Sequence, residues 1–263
     1  MACALAEVLD ILHEIAPLEL AAEWDNVGLL LQPRARAPRI ARVLLCIDLT
    51  DAVVAEAKAG RADLVVAYHP PIFQPLKRLL HDDGGQRKVL LAAAAGLAVY
   101  SPHTALDAAP SGIADWLVQG VVGDAAPEEL RPCGDGEFGR VVRLSRALPF
   151  ATLLQRCKRH LGVKSLQVAR PERVRGAVRS VAVAAGAGGS VLRGVAADVF
   201  VTGEMSHHDA LAAVAAGTSV VLAGHSNTER GFLSVLRNRL REAFDGDLDV
   251  RVARSDRDPF TAA

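Results

Sequence analysis

Aromatic residues are scarce in this chain of 263 residues, where Phe, Tyr and Trp together make up 4% of the composition while hydrophobic residues make up 51%. A core built here must be made of Ala, Val and Leu, and a chain of this length has ample material for one. Excess charge of either sign is also lacking, because Lys+Arg and Asp+Glu both number 30. No global field draws the protein to nucleic acid, and such a role would need a local basic patch. The arginines are scattered, with residues 170–179 the densest stretch. Cysteine is sparse, and Cys3, Cys46, Cys133 and Cys157 form no CxxC pair. That spacing argues against a zinc–thiolate site and against a disulfide framework, and it fits a reducing compartment. No apolar run approaches membrane-spanning length. Glu7 and Asp10 occupy a region where a secretory signal would carry basic residues. The expectation is an intracellular, cytoplasmic protein with no membrane association.

What is present is a set of four polar segments, each following an apolar run. They are Tyr68 to Phe73 (YHPPIF), Ser101 to Asp107 (SPHTALD), Thr202 to Asp209 (TGEMSHHD) and Gly224 to Glu229 (GHSNTE). Five of the chain's eight histidines lie in them, and in three a carboxylate follows the last histidine within a few residues. Imidazole and carboxylate on turns leaving buried strands suit a borderline or hard metal ion.

The pattern along the chain places these turns. Residues 4–16 carry apolar residues at helical spacing, with Pro17 as the stop. Residues 41–47 read as a buried strand, followed by a helix over 51–59. A strand over 63–68 ends at His69. A helix over 85–95 precedes a strand over 96–100, and His103 follows. Alternating strands and helices, with strands apolar on both faces, predict an α/β fold with a parallel or mixed sheet flanked by helices. Sites in such sheets gather at the carboxyl ends of the strands. Residues 123–139, rich in Gly, Pro and charge, are the expected lobe boundary. Strand, turn and helix then recur over 140–145, 150–160, 164–168, 179–185, 197–201 and 218–223. The expected organisation is a first lobe of residues 1–122 with about 232–263, and a second of 123–231.

Each segment has a second reading. His69 precedes two prolines, which hold it extended, yet a turn histidine needs no metal. His103 and Asp107 are four apart, but Thr104-x-x-Asp107 also resembles a capping box; were the helix to start later, near Pro110-Ser111, Asp107 would be free in a loop. Ser226-x-x-Glu229 sets the same choice for the carboxylate that follows His225. His207 and His208 are adjacent, so only one of them would enter a site. Gly186 to Ser190 could cradle a phosphate or could simply make a tight turn; it has no P-loop lysine and no full GxGxxG spacing.

The wording and order of these segments resemble the Nif-three-like family, also known as GTP cyclohydrolase I type 2 homologs. The resemblance begins at Ala22 to Leu29 (AEWDNVGL) and runs through His69 to Phe73, Ser101 to Pro110, and Thr202-Gly203-Glu204 to Gly224–Glu229. It covers nearly the whole chain, and Tyr68 to Phe73 together with Asp256 to Phe260 look like animal members. It implies a two-lobed α/β fold with a dinuclear metal site in the inter-lobe cleft, and dimers that assemble into a hexamer. It implies the metal ligands His69, Asp107, His225 and Glu229, with Glu229 bridging. The cofactors are divalent ions, one or two per chain, drawn from Zn, Mn, Fe or Mg. His103 and His208 would move protons or contact substrate. One departure stands out: many members carry a second histidine where this chain has Tyr68, and a phenol is a poor ligand. The chain also lacks the extra domain that some members insert between the lobes. The function implied is hydrolysis of a nucleotide-like or phosphorylated substrate. The alternatives are a non-catalytic partner of transcriptional co-regulators and a store or carrier of metal.

Overall fold

The computed structural model describes residues 2–33, 38–123, 127–172 and 176–260. Residues 124–126 of the expected lobe boundary and 173–175 of the arginine-rich stretch lie outside the described residues. The chain divides into two compact units, Met1–Leu106 with Phe232–Ala263, and Asp107–Gly231.

The first unit is built on a five-stranded sheet in the order Asp249–Val252, Arg42–Cys46, Leu64–Ala67, Ala98–Ser101, Gly28–Leu31. The first four strands are parallel, and Gly28–Leu31 closes one edge antiparallel to Ala98–Ser101. Leu64–Ala67 and Ala98–Ser101 are buried at every position, as expected of strands covered on both faces. Helix Asp51–Ala59 starts where Thr50 Oγ1 accepts a hydrogen bond from the Val53 amide, and helix Gly84–Ala94 starts on Asp83 in the same way. Leu49, Val53, Val54 and Ala57 pack with Leu44, Cys46, Val65 and Val99 into one apolar cluster.

The segment after the last strand is pinned by two carboxylate acceptors, buried Asp256 and part-exposed Glu56. Asp256 Oδ2 accepts from the Ile47 amide at 2.7 Å. The Glu56 carboxylate accepts from the amides of Arg254 and Ser255 and from Ser255 Oγ at 2.5 Å. Burial pushes the Glu56 carboxyl up, but these hydrogen bonds and the Arg254 charge outweigh it and hold the group below its ordinary value.

The second unit has a six-stranded mixed sheet in the order Pro127–Cys133, Gly139–Pro149, Ala177–Ala184, Val199–Thr202, Ser219–Leu222, Gln167–Ala169. Ala177–Ala184, Val199–Thr202 and Ser219–Leu222 are parallel neighbours, with antiparallel strands on either side. Within the stretch 123–139, Pro127–Cys133 is an edge strand, a position where prolines at 127 and 132 are tolerated. Helix Ile113–Val122 belongs to this unit. Buried Arg140 ties it down, donating from Nε to Asp115 Oδ1 at 2.6 Å and from Nη2 to the Ala108 carbonyl at 2.9 Å. Trp116 of that helix stacks on His160 of helix Phe150–Leu161, ring centroids 4.1 Å apart. A Cβ at Gly120 would fall 2.1 Å from the His160 ring, so the two helices approach this closely only over a glycine.

Three parallel strands of this unit end in glycine-bearing turns. The Glu204 amide donates to the Gly186 carbonyl at 2.9 Å and the Gly224 amide to the Gly203 carbonyl at 3.0 Å, so the turns continue the ladder beyond the strands. A Cβ on Gly203 would lie 2.6 Å from the Gly186 carbonyl oxygen and 2.8 Å from His225 Cα. The glycines serve packing. Gly186 to Ser190 is therefore a tight turn: a Cβ at Gly188 would meet Thr202 Oγ1 at 2.5 Å, and the helix that follows, Gly189–Leu192, is only four residues long.

Candidate metal centre

In the second unit, His225 and Glu229 flank the short 3₁₀ turn Ser226–Thr228. No capping box forms at this turn: the Thr228 hydroxyl donates to the His225 carbonyl at 2.7 Å and accepts from the Gly186 amide at 2.8 Å. The next helix begins only at Phe232. The Glu229 side chain, 2% exposed, points inward with Oε1 3.5 Å from His225 Nε2. His225 Nδ1 lies 3.2 Å from Glu204 Oε2. A carboxylate can only accept, so Nδ1 carries the ring hydrogen and the lone pair of the neutral ring is on Nε2, facing Glu229. A Cβ at Gly186 would come within 2.6 Å of Glu229 Oε1 and 3.0 Å of His225 Nε2. The missing side chain at 186 therefore keeps space open beside both donor atoms, and imidazole nitrogen with carboxylate oxygen is a donor set that fits a divalent ion.

The first unit repeats the device. His69 Nδ1 stands 3.0 Å from Asp48 Oδ1. Cys46 and Ala67 are register partners on adjacent parallel strands, and Asp48 and His69 each lie two residues beyond them. His103 Nδ1 lies 2.8 Å from Asp25 Oδ1. Asp25 also accepts from the Thr104 amide at 3.1 Å and from Thr104 Oγ1 at 2.5 Å. Burial raises the Asp25 carboxyl, but the hydrogen bonds from His103 and Thr104 and the His103 charge prevail and hold it below the ordinary carboxylate value. Three strand-end histidines thus each have a carboxylate on Nδ1, the arrangement that orients imidazole ligands and proton carriers.

Tyr68 is 3% exposed. Its ring lies 4.9 Å from that of His69 and 5.4 Å from that of His103, and its carbonyl accepts from Ser101 Oγ at 2.8 Å. Asp107 lies inside the short helix His103–Ala108. Thr104 is consequently no cap residue, and its hydroxyl serves Asp25. His207 and His208 open helix His207–Ala215 and are exposed, with Ser206 Oγ accepting from the Asp209 amide at 3.1 Å as the cap. The sequence reading missed Asp25, Asp48 and Glu204 as supports. The available signal was position, since Asp48 and Glu204 each fall two residues after a strand neighbouring the one that leads to their histidine.

Fold and site first define a class: an α/β protein in which a His/Glu cluster could hold a metal ion. The chain belongs to the family Duf34/NIF3 (NGG1p interacting factor 3), whose model matches residues 3–259. It is 42% identical to the protein NIF3 homolog of Schizosaccharomyces pombe, with 92% of each chain covered. It is 38% identical to NIF3-like protein 1 of Drosophila melanogaster, covering 97% of this chain and 88% of the relative. It is 28% identical to the GTP cyclohydrolase 1 type 2 homolog of Clostridium perfringens, covering 97% and 98%. Its fold matches that of a Bacillus cereus protein related to NIF3 with a TM-score of 0.84 over 99% of both chains, at 20% identity. Among the described residues no helix is long and apolar enough to cross a membrane.

Proposed function

We propose that the protein is a metal-dependent hydrolase acting on a phosphorylated or nucleotide-like substrate, with His69, Asp107, His225 and Glu229 holding one or two divalent ions. The observation that carries this reading is the pairing of His225 Nε2 with the buried Glu229 carboxylate beside the space that Gly186 leaves open. The name of the Clostridium perfringens relative, a GTP cyclohydrolase 1 type 2 homolog, supports a nucleotide-like substrate. Zn, Mn, Fe or Mg suits nitrogen and oxygen donors of this kind. When bound, such an ion supplies Lewis-acid polarisation and a water that is acidic near neutral pH.

The chain's own residues have distinct tasks in this reading. Glu204 and Asp48 fix the rings of His225 and His69 with Nε2 as the ligand atom. His103, oriented by the Asp25 carboxylate at Nδ1, presents Nε2 for proton transfer, and His208 is a second candidate for that role. The test is reconstitution of purified protein with each metal, followed by a screen of phosphate esters and nucleotides. Metal-stimulated hydrolysis that disappears in His225→Ala and Glu229→Ala is expected. Turnover unchanged in both variants contradicts the reading.

A second reading is a binding partner of transcriptional co-regulators in the cytoplasm and nucleus, built as dimers and hexamers of this chain; of this, the family description, NGG1p interacting factor 3, supports the binding of a protein partner. Partner co-precipitation that survives loss of all four ligands would favour it. Metal bound without turnover of any substrate would favour storage or delivery.

A further inference from the structure

The first unit exposes two aromatic rings, Trp24 and Phe73, to which the metal chemistry gives no part. Trp24 is 62% exposed and Phe73 44% exposed, although the chain has few aromatic residues to spare. Their rings meet edge to face with centroids 6.0 Å apart. Each also meets the His103 ring at 6.3 Å, nearly perpendicular to it. Behind them Tyr68 and His69 complete the cluster at 5.4 and 5.5 Å from His103.

These rings stand on backbone that is tied down. The Ala22 amide donates to Thr104 Oγ1 at 3.0 Å, and the Asn26 amide donates to Asp25 Oδ1 at 2.8 Å. Asn26 Nδ2 donates to the Ile72 carbonyl at 2.5 Å, joining the loop that bears Trp24 to the one that bears Phe73. His103 itself sits at φ +28°, a left-handed conformation that costs an L-residue free energy and that functional sites commonly retain. A rigid indole and phenyl left in water, with a hydrogen-bonding imidazole edge between them, are prearranged for a flat ligand that has both faces and polar edges. Little side-chain freedom remains to be lost on binding.

We propose that Trp24 and Phe73 form a stacking subsite for a planar nitrogen heterocycle of the nucleobase class, with His103 Nε2 meeting the ring's polar edge. That this ring belongs to the substrate rests on the hydrolase reading; binding of the ring itself does not.

The chain provides its own reporter. Its two tryptophans are Trp24 and Trp116, and Trp116 is 9% exposed against His160 in the other unit. In the full-length protein stripped of metal by chelation, adenosine and guanosine should quench tryptophan emission to saturation, and ribose 5-phosphate should not. Trp24→Ala and Phe73→Ala should each weaken nucleoside binding, followed by calorimetry, about tenfold, the size expected for loss of one stacking partner. Trp24→Phe should recover most of the affinity, which separates stacking from a folding defect. If nucleosides bind the parent protein while no metal reconstitution of it yields hydrolysis of any substrate, the subsite stands and the hydrolase reading fails. Nucleosides that bind no better than ribose 5-phosphate would overturn the proposal. So would Trp24→Ala that keeps nucleoside affinity but lowers the assembly's mass in solution, which would make the aromatic pair a contact between copies of the chain.

Discussion

Gly186→Ala is the most informative single substitution in the second unit. Gly186 has φ +55°. An alanine there costs about 1–2 kcal/mol of backbone strain, and in a chain of this size that lowers the melting temperature by about 2–4 °C for each kcal/mol. The larger effect is local. The new Cβ would stand 2.6 Å from Glu229 Oε1 and 3.0 Å from His225 Nε2, where ordinary contact begins at 3.4 Å. The carboxylate must retreat by roughly 0.8 Å, several times the ~0.2 Å within which metal–ligand distances are held. Metal affinity should fall at least as far as when an orienting partner is lost, about 10–100-fold. The assay is a competitive titration with a chromophoric chelator, run beside a thermal melt of the metal-free protein. Affinity within twofold of the parent, together with the expected melting shift, would refute the argument: the space beside Gly186 would then be packing and not a ligand site.

Other consequences follow from the carboxylates. Glu204→Gln and Asp48→Asn keep shape but remove the anionic acceptor on Nδ1, and each should weaken metal binding about 10–100-fold with little change in melting; equal affinity in both would mean that these pairs only complete the fold. Glu56→Gln weakens three hydrogen bonds to the segment at Arg254 and Ser255 and should cost about 1–3 kcal/mol, read by denaturant unfolding. The Glu56 carboxyl is depressed in the folded state, so its contribution is complete above the unfolded-state value and is lost as pH falls through the folded one. The gap between parent and variant should therefore be wide at neutral pH and should close in acid, and a gap constant with pH would contradict the assignment.

Much of the α/β pattern can be read directly from the residues. Helix Asp51–Ala59 follows a threonine cap, and the strands around Val43–Leu45, Val65 and Val99 are apolar runs bounded by turns. Strand-end histidines follow from that pattern. The pairing of each with its carboxylate does not, because it depends on register between strands and on hydrogen bonds that span long stretches of chain, such as Asp25 with Thr104 across 79 residues. Thr104-x-x-Asp107 and Ser226-x-x-Glu229 both look like helix starts in isolation. Tertiary partners decide otherwise: Thr104 bonds to Asp25, and Thr228 bonds across to Gly186. Helix Ile113–Val122 joins the second unit through buried Arg140 and the Trp116–His160 stack, interactions between residues far apart in sequence.

The central claim is that His69, Asp107, His225 and Glu229 hold metal. The most direct measurement is elemental analysis of the protein purified without added ions, beside His225→Ala and Glu229→Ala prepared in the same way. The account predicts at least one divalent ion per chain in the parent, one and not two if Tyr68 has removed a donor, and loss of metal in both variants. A parent purified free of metal that takes none up on reconstitution, or variants that keep the parent's metal content, would contradict it.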